Sequence, residues 1–106
     1  MQTIRIRAIL FKDSGLWCGQ CLDYDICAQA KTPADLRSEL LEVLWAHALF
    51  DVEMGREPFR GLPKAPRKFF EMYEASNSPM EGNQELVKPP PQLIHMLPIE
   101  PIFRYG

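Results

Sequence analysis

The sequence predicts an α+β domain: a three- to four-stranded, mainly antiparallel sheet covered by one long helix, with a short second helix and an extended C-terminal arm. Two patterns carry this. Residues 3–11 alternate apolar and polar with the period of a strand, and Thr32-Pro33 opens a helix-forming run that lasts to about Met54. Length supplies the third constraint, since 106 residues build one modest core and not two.

In the first strand Ile4, Ile6, Ala8 and Leu10 share a face, with Thr3, Arg5 and Arg7 on the other. Lys12-Asp13-Ser14-Gly15 has turn chemistry, with Gly15 able to take positive φ. Leu16 to Cys21 reads as the returning strand, Leu22 to Asp25 as a second turn, and Ile26 to Lys31 as a third strand. The small inner residues Ala28 and Ala30 allow a helix to approach that strand closely.

Thr32 suits an N-cap, Pro33 the first helical position and Asp35 a capping box, while Gly55 suits the C-terminal stop. At 100° per residue, Leu36, Leu40, Val43, Leu44, His47, Phe50 and Met54 form an apolar stripe expected to cover the sheet. Leu41, Trp45, Leu49 and Val52 form a second, roughly opposite stripe, to be covered by the C-terminal segment or by another molecule. Between them lies an acidic face of Asp35, Glu39, Glu42 and Glu53 with no base on it.

Residues 55–65 read as a loop, and Pro66 starts a second helix whose Phe69, Phe70 and Tyr73 are candidates to pack on the second stripe. Ser76 to Gln84 has linker composition. Lys88-Pro89-Pro90-Pro91 favours polyproline II, and the stretch from Gln92 to Tyr105 is too apolar to stay free in water. Pro98 and Pro101 restrict ladder pairing, which leaves Gln92–Leu97 as the expected fourth strand. Domain organisation is thus 1–75 for the folded unit and 76–106 for linker and arm.

A net charge of −2 conceals segregation: residues 1–12 carry +3, Asp13 to Glu53 −6, and Arg56 to Lys68 +4. Such patterning governs association and orientation more than fold. No apolar run approaches the ~20 residues that cross a bilayer, so a cytoplasmic protein is expected. Three cysteines do not suit a disulfide framework. Cys18-x-x-Cys21 lacks a second close ligand pair for zinc and lies on a strand, not a helix N-terminus, so buried thiols are expected and no metal or cofactor. Asp13, Asp23, Asp25 and Glu39 are candidates for a nuclease-like carboxylate cluster, but turn formation accounts for Asp13 and Asp23, and Glu39 belongs to the acidic helix face. The basic loop residues have few interleaved aromatics, which argues against direct nucleic-acid binding.

Leu16–Cys21, Asp25–Ala30 and Lys31–Leu36 together spell D-x-x-x-Q-A-x-T-P-x-x-L-x-x-x-L behind an aromatic-and-Cys hairpin. Over residues 3–54 the chain resembles the HicB-like antitoxin family. That resemblance implies a partial, degenerate RNase H-like fold with no enzymatic activity, and a small basic RNA-cleaving toxin as partner. The family's C-terminal DNA-binding modules have no counterpart in the proline-rich tail after Ala75. Partner-binding candidates are the acidic residues Asp35, Glu39 and Glu42, the stripe Leu41, Trp45 and Leu49, and the tail anchors Leu93, Ile94, Met96, Ile102, Phe103 and Tyr105. The surplus apolar surface also leads us to expect a homodimer or higher assembly. Competing expectations are a phage- or plasmid-borne inhibitor of a host nucleic-acid-binding defence complex, and an RNase H-like nuclease.

Overall fold

The computed structural model describes residues 2–80, 82, 83 and 85–106. Alternation at the N-terminus becomes β1 (Ile4–Asp13), which turns through Ser14-Gly15 into β2 (Leu16–Cys21). Both turn residues take positive φ, +53° and +84°, the two-residue geometry whose twist matches the flanking strands. β3 (Cys27–Ala30) then pairs antiparallel with β2. One face of β1 presents Ile4, Ile6, Ala8 and Leu10; the other presents Arg5, Arg7, Ile9 and Phe11.

Helix α1 (Pro33–Glu53) covers the first face. Its start is as expected: the Asp35 N–H donates to Thr32 Oγ1 at 3.1 Å, with Pro33 in the first turn. Gly19 sets how near the helix lies, because a Cβ there would stand 3.3 Å from methyl carbons of Leu36 and Leu40. Leu36, Leu40 and Leu44 are fully buried with Ile6, Ala8 and Leu10.

The sheet has five strands in the order β3-β2-β1-β5-β4. Its fourth long strand is not Gln92–Leu97. That stretch opens in a short 3₁₀ turn over Pro91–Leu93, and the strand is β5 (Ile99–Tyr105), parallel to β1 from Ile4↔Ile99 to Leu10↔Tyr105. Pro101 fits inside β5 because alternate residues bond to opposite sides. Ile99 exchanges bonds with Val87 on the outer side, and the Phe103 N–H donates to Asn83 Oδ1 at 2.9 Å, also on that side. Pro101 lies between them, where no described strand pairs with β5 to receive an N–H. β4 (Ser78–Pro79) closes the far end of this edge within the stretch read as a linker, of which Glu81 and Gln84 lie outside the described residues.

Helix α2 (Arg67–Ala75) also departs from expectation. It packs on the opposite face of the sheet, where Tyr73, Phe69 and Phe70 join Ile9, Leu22 and Ile102. The reason is that β1 carries apolar residues on both faces, so both need cover. Arg7 tolerates this face by a bidentate pair with Asp23 at 3.2 and 2.6 Å. Its guanidinium lies 5.5 Å from the Phe70 ring and 5.9 Å from Tyr73.

The second stripe of α1 is covered by the chain itself. Leu41 is buried, and half-buried Trp45 and Leu49 join one core cluster with Leu93, Val87 and Met96. Val52 stays exposed. The first stripe needs a correction at its C-terminal end: Phe50 is 53% exposed and Met54 59%, while Ala48 and Asp51 turn inward. Among the described residues no helix is long and apolar enough to cross a membrane.

Leu40→Ala is expected to destabilise by ~2–5 kcal/mol as a core truncation, and Phe50→Ala to stay within ~0.5 kcal/mol of the parent. Half-buried Leu49→Ala should fall between them. Denaturant melts of the three variants check that order.

Candidate interaction surface

With Leu36, Leu40, Leu41, Leu44, Ala48 and Asp51 facing inward, α1 turns Asp35, Glu39, Glu42, Ala46, Phe50 and Glu53 outward. All six are exposed. Asp35 sits in the first turn, where a carboxylate complements the helix dipole. Among the described residues no ion pair engages Asp35, Glu39, Glu42 or Glu53. The small Ala46 leaves a low point between the acids and the Phe50 ring, over which the Arg56 guanidinium lies at 5.3 Å.

Asp51 decides why Phe50 faces water. Its carboxylate accepts from the buried Phe59 N–H at 2.9 Å and from Arg56 Nε at 3.3 Å, and lies 4.0 Å from His47 Nε2. This polar anchor turns the helix end and fastens the loop that follows. Phe59 takes φ +67°, a rare conformation for a bulky side chain. It is held there by that hydrogen bond and by ring contacts with Tyr24 at 4.8 Å and His47 at 6.4 Å.

Beyond the helix end lies an apolar cleft of about 430 Å³, lined by Val52, Pro58, Leu93, Ile94, Met96 and Leu97. Ile94 is 72% exposed on its rim, and Leu86 and Leu97 continue the exposed apolar surface.

Residues picked from the sequence thus separate into distinct places. Asp35, Glu39 and Glu42 share one outward stripe; Ile94 and half-buried Met96 border the cleft. Leu41, Leu93 and Phe103 are buried in the chain's own core, with Trp45 and Leu49 packed against it. Ile102 lies under α2, and Tyr105 meets Trp17 edge-on at 5.8 Å. Sequence reasoning missed Phe50 and Met54 as surface residues. No sequence signal marked this: Asp51 lies in register with Leu44 and Ala48, but what turns it inward is the Phe59 N–H and Arg56, which only the fold brings to it.

The carboxylates weighed as a nuclease cluster are engaged elsewhere or apart. Asp23 pairs with Arg7, Asp25 accepts from Gln20 Nε2 at 2.9 Å, Asp13 ends β1, and Glu39 stands on α1. Among the described residues no group of His, Cys, Asp or Glu is arranged to hold a metal ion. Cys18 and Cys21 are buried and Cys27 is exposed. Burial pushes the Cys21 thiol up from its ordinary 9.0 to about 12, with the nearby Asp23 and Cys27 acting in the same direction. Burial likewise raises Tyr24 and Tyr73.

Set against family models, curated proteins and solved structures, the chain matches none of them.

Asp51→Ala is expected to cost ~1–3 kcal/mol by leaving the Phe59 N–H buried without an acceptor. Asp51→Asn should cost less, since its amide oxygen still accepts; thermal melts of both variants distinguish the two. The folded Cys21 thiol is raised above its unfolded value, so its neutral form is favoured in the fold. Its contribution is fully present below pH 9 and is lost as pH rises toward about 12. Cys21→Ala should flatten the fall of the denaturation midpoint across that interval.

Proposed function

We propose that this chain is a cytoplasmic, non-enzymatic protein-binding module of the HicB-like antitoxin kind. Its outward α1 face captures a small basic RNA-cleaving protein and masks the surface that would otherwise hold RNA. The observation that carries this reading is the stripe of Asp35, Glu39 and Glu42, exposed and without ion pairs among the described residues, running toward exposed Phe50. Carboxylates held in this way on a rigid helix steer a basic surface into register, and their main effect is on association rate. An aromatic ring at the end of such a stripe supplies the desolvated anchor that charge alone does not.

Architecture supports the same reading. Three antiparallel strands with a covering helix are the part of the architecture that the family resemblance leads us to expect. The apolar cleft at the end of α1 extends the surface past Phe50 and Val52.

The test is a tagged pull-down from the native host, with mass spectrometry, using the parent chain and the Glu39→Lys/Glu42→Lys variant. A small basic protein should be recovered with the parent. Charge reversal should lower its association rate by about tenfold or more at low salt, with the melting curve unchanged. Recovery of no basic protein, or recovery indifferent to the reversal and to salt, would sink the proposal.

A further inference from the structure

The sheet's two edges are finished differently. Leu22 N–H bonds to Arg7 O and Cys21 N–H to Ile26 O, so alternate residues of β2 bond toward β1 and toward β3. Ala28 and Ala30 of β3 therefore pair with Gly19 and Trp17, while the N–H and C=O groups of Cys27 and Gln29 point away from the sheet. No described residue hydrogen-bonds those groups. At the other edge β5 is closed by Val87, by the Asn83 carboxamide on both polar groups of Phe103, and by Pro101. β3 has no proline and no charged residue within it. An edge left bare in this way is a template for another strand.

We propose that β3 pairs with β3 of a second copy of this chain, antiparallel about a two-fold axis at Ala28. This register sets Cys27 opposite the second copy's Gln29, and Gln29 opposite its Cys27, so the outward groups exchange bonds reciprocally. Ala28 meets its counterpart on the axis, at the non-hydrogen-bonded position of such a ladder, where two small side chains sit without obstruction. Charge decides the register. Lys31 comes level with the second copy's Asp25 on the same face, and both are exposed with no ion pair among the described residues.

Neighbouring registers lose these pairings. Centring on Cys27 sets Gln29 against Asp25, whose N–H is already bonded to Pro63 O at 2.8 Å. Centring on Gln29 sets Lys31 against Cys27 and leaves both charges unmatched. In the proposed register the Pro63 bond ends the ladder at Cys27, and Lys31 reaches Asp25 through its side chain alone. The edge uses none of the outward α1 residues of the proposed function, so either proposal can fail without the other.

Sedimentation velocity over a concentration series, with residue-resolved hydrogen exchange on the parent chain, tests the interface directly. The expected result is a dimer in which the amides of Cys27 and Gln29 are protected and become freely exchanging on dilution. Lys31→Glu should weaken the dimer about tenfold by facing acid with acid, and adding Asp25→Lys should restore it. A chain that stays monomeric at all concentrations overturns the proposal, as does a dimer in which those amides exchange freely. A double variant no tighter than Lys31→Glu alone overturns the register.

Discussion

The parallel pairing of β5 with β1 is the constraint on which the rest of the fold depends. It joins residues from opposite ends of the chain, so its closure entropy is recovered only when both strands are buried on both faces. Ile99, Pro101 and Phe103 then complete the layer under α1, and Ile102 completes the layer under α2. Bringing β5 home also carries the preceding segment across the second stripe of α1, where Leu93 and Met96 meet the core that includes Leu41. Without that pairing the helix would expose the surface that its sequence makes so conspicuous.

Burial on both faces forces charged residues of β1 and β5 into the interface with α2, and the solution is to pair them and stack them. Arg7 is held by Asp23 and lies near the Phe70 and Tyr73 rings; Arg104 lies 4.3 Å from the Tyr73 ring and donates to the Tyr73 carbonyl. The hydrogen bond to Asp23 raises the Arg7 pKa against the opposing effect of desolvation. Asp51 follows the same logic on the other side of the sheet. A buried carboxylate is acceptable there because a backbone N–H and a guanidinium satisfy it.

These internal solutions determine what is left for partners. Covering one stripe of α1 with the tail, and turning Asp51 inward, leaves the helix a single outward face in which acids end in an aromatic residue. Closing the outer edge of β5 with a side-chain amide and a proline leaves β3 as the edge whose outward groups no described residue bonds. Interaction surfaces in so small a domain are remainders of packing, and they are found by asking which groups the fold has not used.

Local pattern was legible where neighbours in sequence are also neighbours in space. The β1–β2 hairpin, the Thr32 cap, the length of α1, the presence of α2 and the exposure of Asp35, Glu39 and Glu42 all follow from period and turn chemistry. The face of a helix near its end was not legible, because apolar Phe50 and polar Asp51 exchange places once the loop that follows folds back and supplies Phe59 and Arg56 as partners. Nor was the position of the last strand, since Pro101 is forbidden or harmless according to which side of β5 lies open. The sequence by itself determined the elements, their inward periodicity and the acidic stripe, because those rest on short-range sterics and hydrophobic spacing. Only the tertiary structure decided which strand lies beside β1, which face α2 covers and which surfaces remain free, because each depends on hydrogen bonds between residues far apart in the chain.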